Sequence, residues 1–366
     1  MTYAGSRLVH DADSHLMEPS NCLDPYFDRK LLARYHDLPV YKAKKSFDKF
    51  VNGQLAAHDD AAFRAGVAEN ILLRKNYEAH GAFRREDRPD VLDLLGFASQ
   101  LVFTTFCLGN FGLDEGDDME LCYAAAEAHN RMMTDFCAVD RRLLATAYVP
   151  LEDIERAVQT ARNAIEMGAK ALMVPSKCPQ HHAPSHVGLD PVWPVPDFHG
   201  GDDNFTSVSY MPIPSAVMQT LATMIFDGVF DRFPNLKFGA IELGAAWMPG
   251  WMRSMDSAAH AFMRNETRLQ NLSAKPSEIV RRQLRVTPYP HEDAGWIIAN
   301  AGEEVCLFSS DYPHVEGGRN PMKRFDESLK GASTRAVEAF YSGNFIDLMG
   351  EGLAPDLRRE TYQQAG

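Results

Sequence analysis

The sequence predicts an α/β protein, a TIM-like (β/α)8 barrel, and two observations carry that expectation. From Leu101 onward, short aliphatic runs alternate with longer helical patterns, which is the signature of βαβ units and a parallel sheet. Two polar clusters then stand at opposite ends of the chain, His10-Asp11-Ala12-Asp13-Ser14-His15 and Ser309-Ser310-Asp311-Tyr312-Pro313-His314, each directly after an apolar run. A closed barrel sets its first and last strands side by side and gathers reactive groups at the strands' C-terminal ends. The two clusters would meet there.

Taken in order, Leu8-Val9 is the first strand candidate, and a short helix is expected over 90–97. Gln100 to Thr105 reads as a strand. Met119 to Val139 reads as a helix, because Leu121, Ala124, Ala125, Ala128, Met132 and Phe136 recur at helical spacing. Leu143 to Val149 is the next strand. The helix Asp153 to Met167 is stopped by Gly168, and Ala169 to Val174 is a strand. Ser215 to Phe233 is helical, Leu236 to Glu242 a strand, Met248 to Arg268 a helix, Gln283 to Thr287 a strand and Val305 to Ser309 the last. Pro321 to Leu348 reads as helical throughout. These runs supply seven strands where a closed barrel needs eight.

The deficit falls in the irregular stretch 175–214, rich in proline, glycine and histidine, where no buried strand is convincing. A second irregular region, 36–88, reads as an insertion after the first strand, serving as a lid or a dimer contact. The whole chain, 1–366, is read as a single barrel domain.

Composition narrows the function. Of 366 residues, 37 are Lys or Arg and 50 are Asp or Glu, a formal charge of −13, which argues against nucleic acid or an anionic membrane as the main partner. Six scattered cysteines form no CxxC pair, so neither a disulfide framework nor a zinc ribbon is indicated. The N-terminus carries no apolar signal segment, and no apolar run approaches the roughly 20 residues that span a bilayer. A cytoplasmic protein acting on a small molecule, without a membrane or nucleic-acid partner, is the expectation, and a homodimer fits the insertion and the terminal helices. No nucleophile elbow, phosphate loop, HExxH helix or GxGxxG turn is present.

Asp13 and His15 are two apart, so on an extended strand they face one side and can reach one ion together. A polar strand end with a capping Asp would read the same, and Asp11 on the same face fits a supporting or capping role. Asp311 follows an apolar strand and two serines, where barrel enzymes place catalytic groups. A solvated strand-end Asp is the ordinary alternative for that residue alone. Glu242 ends another apolar run and would point into the same mouth as a general acid or base. His199 lies where a fifth strand should deliver a metal ligand. Trp247, His291 and His314 are candidates for substrate contact.

Four segments carry a family resemblance: Asp11 to Pro19, Gly228 to Phe238, Ile241 to Pro249 and Phe308 to His314. They resemble the amidohydrolase-related family 2, which includes aminocarboxymuconate-semialdehyde decarboxylase and hydroxybenzoate decarboxylases. The resemblance implies a metal-dependent barrel of the hydrolase type with one divalent ion, zinc first and manganese as the other option. By position, Asp13 and His15 correspond to the first-strand ligands, Asp13 standing where many relatives have His or Glu. Asp311 corresponds to the last-strand aspartate that contacts metal and moves protons. Glu242 falls where the decarboxylases often keep a histidine.

Relatives continue from an Asp-Pro-Val-Trp-like start through a helix and a strand ending in His-x-Gly, whereas here Asp190-Pro191-Val192-Trp193 meets Pro194 to His199 at once. Either a helix-plus-strand unit on the order of 30 residues is missing from the sequence, the reading preferred here, or His199 substitutes for its histidine. The implied activity is hydrolysis or non-oxidative decarboxylation of a small carboxylated, aromatic or unsaturated substrate, with the metal as Lewis acid and Asp311 as acid and base. The alternative is a catalytically inactive barrel acting as a binding or scaffold protein.

Overall fold

The computed structural model of the chain describes residues 2–107, 113, 116–175, 179, 182–183, 186–189, 196–198 and 213–358. Seven strands form one sheet in sequence order: β1 (His10–Leu16), β2 (Ser99–Thr104), β3 (Leu143–Tyr148), β4 (Ala171–Met173), β5 (Pro196–Phe198), β6 (Phe238–Ala240) and β7 (Leu284–Val286). Every neighbouring pair is parallel.

The extended segment 305–312 closes the ring. On one side Leu307 N–H donates to the Val286 carbonyl at 2.9 Å and Val286 N–H to Val305 at 2.9 Å. On the other, Ala12 N–H donates to Phe308 at 3.1 Å, Asp311 N–H to Asp13 at 2.9 Å and His15 N–H to Tyr312 at 2.7 Å. The expected barrel is therefore present with its ends joined.

The fifth place, left without a convincing strand by the sequence, is held by Pro196–Phe198, which pairs with β4 at Leu172 and Met173 and with β6 at Gly239 and Ala240. Three residues opened by a proline carry too little pattern to read as a strand.

The first strand also differs from its expected place. It runs through the polar cluster itself, and all seven of its residues are buried. Its polar side chains are partnered by neighbouring strands, so the run needs no apolar pattern.

Long helical patterns break where glycine takes positive φ. The stretch 215–233 divides into Ser215–Phe226 and Val229–Arg232 at Gly228 (φ 72°), and the C-terminal stretch breaks at Gly331 (φ 93°) between Pro321–Ser328 and a helical run from Thr334–Glu338 through the π turn Ala339–Gly343 to Asn344–Met349. Two further helices, Pro276–Gln283 and Ala294–Ala301, are not among the expected elements. The insertion is itself helical, with Pro39–Lys45, Asp48–Ala57, Ala61–Ala65 and Val67–Asn70. Among the described residues, no helix is long and apolar enough to cross a membrane.

Buried residues fall into two clusters. The larger packs the helices and the insertion onto the outside of the sheet. The smaller joins Ala12 of β1, Leu101 and Phe103 of β2, Leu144 of β3, Ala171 and Met173 of β4, Ile241 just after β6 and Leu307 of the closing segment with Phe345, Met349, Leu353 and Leu357 of the C-terminal segment. It fills the barrel and is stoppered at its lower end, where the Phe345 ring stacks on His10 at 5.2 Å. Below the stopper, Asp347 pairs with the buried Arg285 and with Lys237 at 2.9 Å.

Because Phe345 touches only this lower core, Phe345→Ala should destabilise the chain by about 3–5 kcal/mol through the cavity it leaves. Urea unfolding should report a lower midpoint at unchanged slope, and an unchanged midpoint would remove the stopper from the account.

Candidate metal centre

The register of β1 against β2 shifts between Asp11 and Ser14. That irregularity separates residues that a regular strand would align. Asp11 accepts from Ser310 Oγ at 2.5 Å, from Ser310 N–H at 2.9 Å and from Gln100 Nε2 at 2.9 Å, so it turns away from the mouth. Asp13 and His15 stay together, Asp13 Oδ1 lying 3.0 Å from His15 Nε2, while Asp13 Oδ2 accepts from Ser309 Oγ at 3.2 Å.

Glu242 and Asp311 reach the same point by an unusual backbone. Both follow their strands with positive φ, 59° and 51°, a region that costs an ordinary side chain on the order of 1–3 kcal/mol. The surroundings hold each in place. Glu242 N–H donates to Thr287 Oγ1 at 2.8 Å, and Tyr289 Oη donates to the Glu242 carbonyl at 2.6 Å. Asp311 is held by its N–H on Asp13 and by the Tyr312 Oη bond to the His80 carbonyl at 2.7 Å, and the Tyr312–Pro313 peptide is cis.

The side chains of His15, Glu242, Asp311 and His314 consequently converge, each offering a ligand atom within 4.8 Å of the others. His15 Nε2 lies 3.6 Å from Glu242 and 3.7 Å from Asp311. His314 Nδ1 lies 2.9 Å from Asp311 Oδ1 and 3.4 Å from Glu242 Oε1, and its ring stacks on His15 at 3.9 Å. His314 Nε2 is 2.9 Å from Thr105 Oγ1.

The donor set fits a divalent cation. His15 Nδ1 faces the Thr104 carbonyl at 3.1 Å, and a carbonyl only accepts, so the ring proton sits on Nδ1 and Nε2 presents its lone pair to carboxylates. Burial, reinforced by the charge of His314, holds the His15 imidazole well below its ordinary pKa. Both oxygens of Asp311 are buried and accept no well-aligned hydrogen bond. Burial also pushes the Asp11 and Asp13 carboxyls up to about 7. For His314, burial opposes the charge, but the adjacent Asp311 carboxylate outweighs it and the pKa ends above the ordinary value. A lone pair and several carboxylates crowded out of water are mutually unfavourable until a cation joins them.

Of the residues singled out from sequence, Asp13, His15, Glu242 and Asp311 come together at this point. His314, expected at a substrate contact, sits inside the cluster instead. The turn after Asp311 is tight enough for His314 N–H to donate to the Asp311 carbonyl at 2.7 Å. Trp247 is half-buried, its indole N–H donating to the Gly244 carbonyl at 2.8 Å. His291 is exposed on the outer rim, stacked on Tyr289 at 5.5 Å. His199 lies outside the described residues.

Three supporting residues escaped the sequence reading. Glu18 is buried and accepts from the N–H groups of Thr105 and Phe106, steadying the loop that bears the partner of His314. Arg88 is buried and donates to the His15 carbonyl at 3.1 Å and to Gln100 at 3.1 Å. Thr287 holds Glu242. The Leu16-Met17-Glu18-Pro19 continuation of the first motif was the one available signal, and it marks Glu18 alone.

The family described as Amidohydrolase matches residues 108–348. No curated protein matches the chain in sequence. Among solved structures, the chain is similar to an amidohydrolase from Mycobacterium avium subsp. paratuberculosis K-10, at 24% identity and a TM-score of 0.74, over 94% of this chain and 100% of that one. It is similar to 5-carboxyvanillate decarboxylase from Sphingomonas paucimobilis, at 15% identity and a TM-score of 0.61, over 94% and 99%. It is also similar to a dihydroxybenzoic acid decarboxylase from Polaromonas sp. JS666 with bound manganese and 2-nitroresorcinol, at 14% identity and a TM-score of 0.59, over 96% and 100%. At these identities the likeness carries the fold.

The strain at Glu242 leads to a trade-off. Glu242→Gly relieves the left-handed backbone and removes one crowded carboxylate, so in chelator the chain should gain about 1 kcal/mol against urea. With manganese or zinc added, the same variant should gain less stability than the unaltered chain. Equal gains would detach Glu242 from metal binding.

Proposed function

The chain belongs to the amidohydrolase family, and from that premise we propose that it is a metal-dependent carboxy-lyase that removes the carboxyl group of a small aromatic acid. The observation that carries this reading is the Asp311 carboxylate. It is buried, strained into the mouth, poor in hydrogen bonds and flanked by two imidazoles. Solved relatives of nearly full coverage that bear decarboxylase names support carboxyl removal over hydrolysis.

His15, Glu242 and Asp311 would hold the ion, with Asp13 bracing His15 and His314 beside Asp311. A divalent ion bound there supplies Lewis-acid stabilisation of negative charge on a chelating substrate. Two carboxylates among the three donors favour manganese as well as zinc, since oxygen ligands suit the harder ion. Asp311 carries the proton. As the bond between ring carbon and carboxyl breaks, its electron pair stays on the ring carbon and takes a proton from the Asp311 carboxyl, and carbon dioxide leaves. His314 is the positioning partner, because its Nδ1 faces Asp311 while Thr105 engages Nε2. Trp247 offers an aromatic face at the rim, its polar atom already engaged.

Assays of carbon dioxide release from hydroxylated benzoates, run beside ester and amide hydrolysis, test the reading. Asp311→Asn should lower kcat by about 10²–10⁴ while the chain stays folded. Unchanged turnover would take Asp311 out of the chemistry, and hydrolysis without carbon dioxide release would reassign the reaction. Independently, exhaustive chelation should abolish turnover, and manganese or zinc should restore it. A chelated chain that still turns over would overturn metal dependence.

A further inference from the structure

A second group of metal-ligating side chains lies in the insertion, away from the barrel mouth. His58 stands at the C-terminal end of the helix Asp48–Ala57, and His80 and Asp87 lie in the segment leading to the helix Arg88–Leu95. All three are buried, at 1%, 4% and 6% exposure, and each offers a ligand atom within 4.8 Å of the others.

Their hydrogen bonds fix where the protons are. His58 Nε2 is 2.7 Å from the Tyr77 carbonyl, which can only accept, so the proton is on Nε2 and Nδ1 keeps its lone pair. His80 Nε2 faces the Asp90 carboxylate at 3.4 Å, which again leaves the lone pair on Nδ1. Both Nδ1 atoms are buried without a hydrogen-bond partner, and His80 Nδ1 is 4.0 Å from Asp87 Oδ2. An imidazole whose far nitrogen is tied to a carbonyl or carboxylate is the usual arrangement of a metal-bound histidine. The resident counter-charge is Arg64, which donates to Asp87 at 3.0 and 3.3 Å from a half-exposed position and leaves both nitrogens unserved.

We propose that His58, His80 and Asp87 form a second divalent-metal site, with the two-histidine, one-carboxylate donor set that suits zinc. With a water in the fourth position the set is tetrahedral. The ion ties the end of the helix Asp48–Ala57 to the segment whose His80 carbonyl accepts from Tyr312 beside Asp311. It therefore fastens the helix of the insertion to the segment that anchors Tyr312 and takes no part in the reaction. This site stands apart from the centre at the mouth and does not depend on the reading given above for it.

The test uses the full chain, stripped with chelator and titrated with zinc chloride against a chromophoric chelator. Asp311→Asn with Glu242→Gln disables the mouth and should still leave one zinc bound per chain. Adding His58→Gln and His80→Gln to that variant should remove it. Arg64→Met takes away the competing guanidinium, and should tighten this zinc on the order of tenfold, the size of effect that neighbours of a ligand exert. It should also enlarge the zinc-dependent rise in melting temperature. A mouth-disabled chain that binds no zinc would overturn the proposal, as would a stoichiometry that survives loss of both histidines. If the histidine variants fail to fold, Arg64→Met decides alone, since it alters a half-exposed side chain, and unchanged affinity there would count against the site. Loss of turnover in the mouth variants bears only on the barrel centre.

Discussion

Everything at the mouth depends on the seam where the chain's two ends are joined. Three backbone hydrogen bonds between β1 and the segment 305–312, at 3.1, 2.9 and 2.7 Å, lay Asp13 and His15 beside Asp311 and His314, residues separated by about three hundred positions in sequence. Closing a loop of that length is entropically costly, and only a sheet with no remaining edge holds it. The seam also fixes direction. Because the strands are parallel, both clusters emerge at the same end of the barrel, and the Phe345 stopper closes the other.

The seam brings the groups near; polar ties aim them. The carbonyl of Thr104 sets the tautomer of His15, Thr287 and Tyr289 hold Glu242 in a left-handed conformation, and Tyr312 anchors Asp311 to the insertion through the His80 carbonyl. Behind them Arg88, fully buried, props the carbonyl of His15 and the side chain of Gln100, which in turn holds Asp11. Each tie is worth about a kilocalorie per mole in isolation, but a buried network loses more than one bond when a member is removed. That is how two non-glycine residues are kept in strained backbone at one site.

Much of this was legible in the residues. The alternation of aliphatic runs and helical patterns located the strands β2, β3, β4, β6 and β7, because period and turn residues are local properties. The polar clusters marked Asp13, His15 and Asp311, because a closed barrel sets its first and last strands side by side and two such clusters, one after each, would meet at the same end. Other features were not local. The first strand hides in its own polar motif because its partners lie near positions 100 and 310. The three-residue β5 has no period to detect. The shift in β1 that turns Asp11 away is a property of pairing with β2, and a single strand read alone aligns Asp11 with Asp13. His314 enters the cluster through the geometry of a turn, which spacing does not encode.

The weak fifth place raises the question of whether the site depends on it. The described donors are anchored elsewhere. His15 is held by β1, the end of β2 and the seam, and Asp311 and His314 by the seam and the insertion. Glu242, although it follows β6, is gripped from the far side by Thr287 and Tyr289, which follow β7. The arc running from the end of β6 through β7 and the seam to β2 therefore positions the whole described donor set. On the other side, β4 and β5 supply a bridge of two residue pairs and β5 and β6 two more, enough to keep the ring continuous. Among the described residues, the convergent donors, with their strain and buried charge, therefore lie on one arc, and on the other the short pairings of β5 keep the sheet continuous.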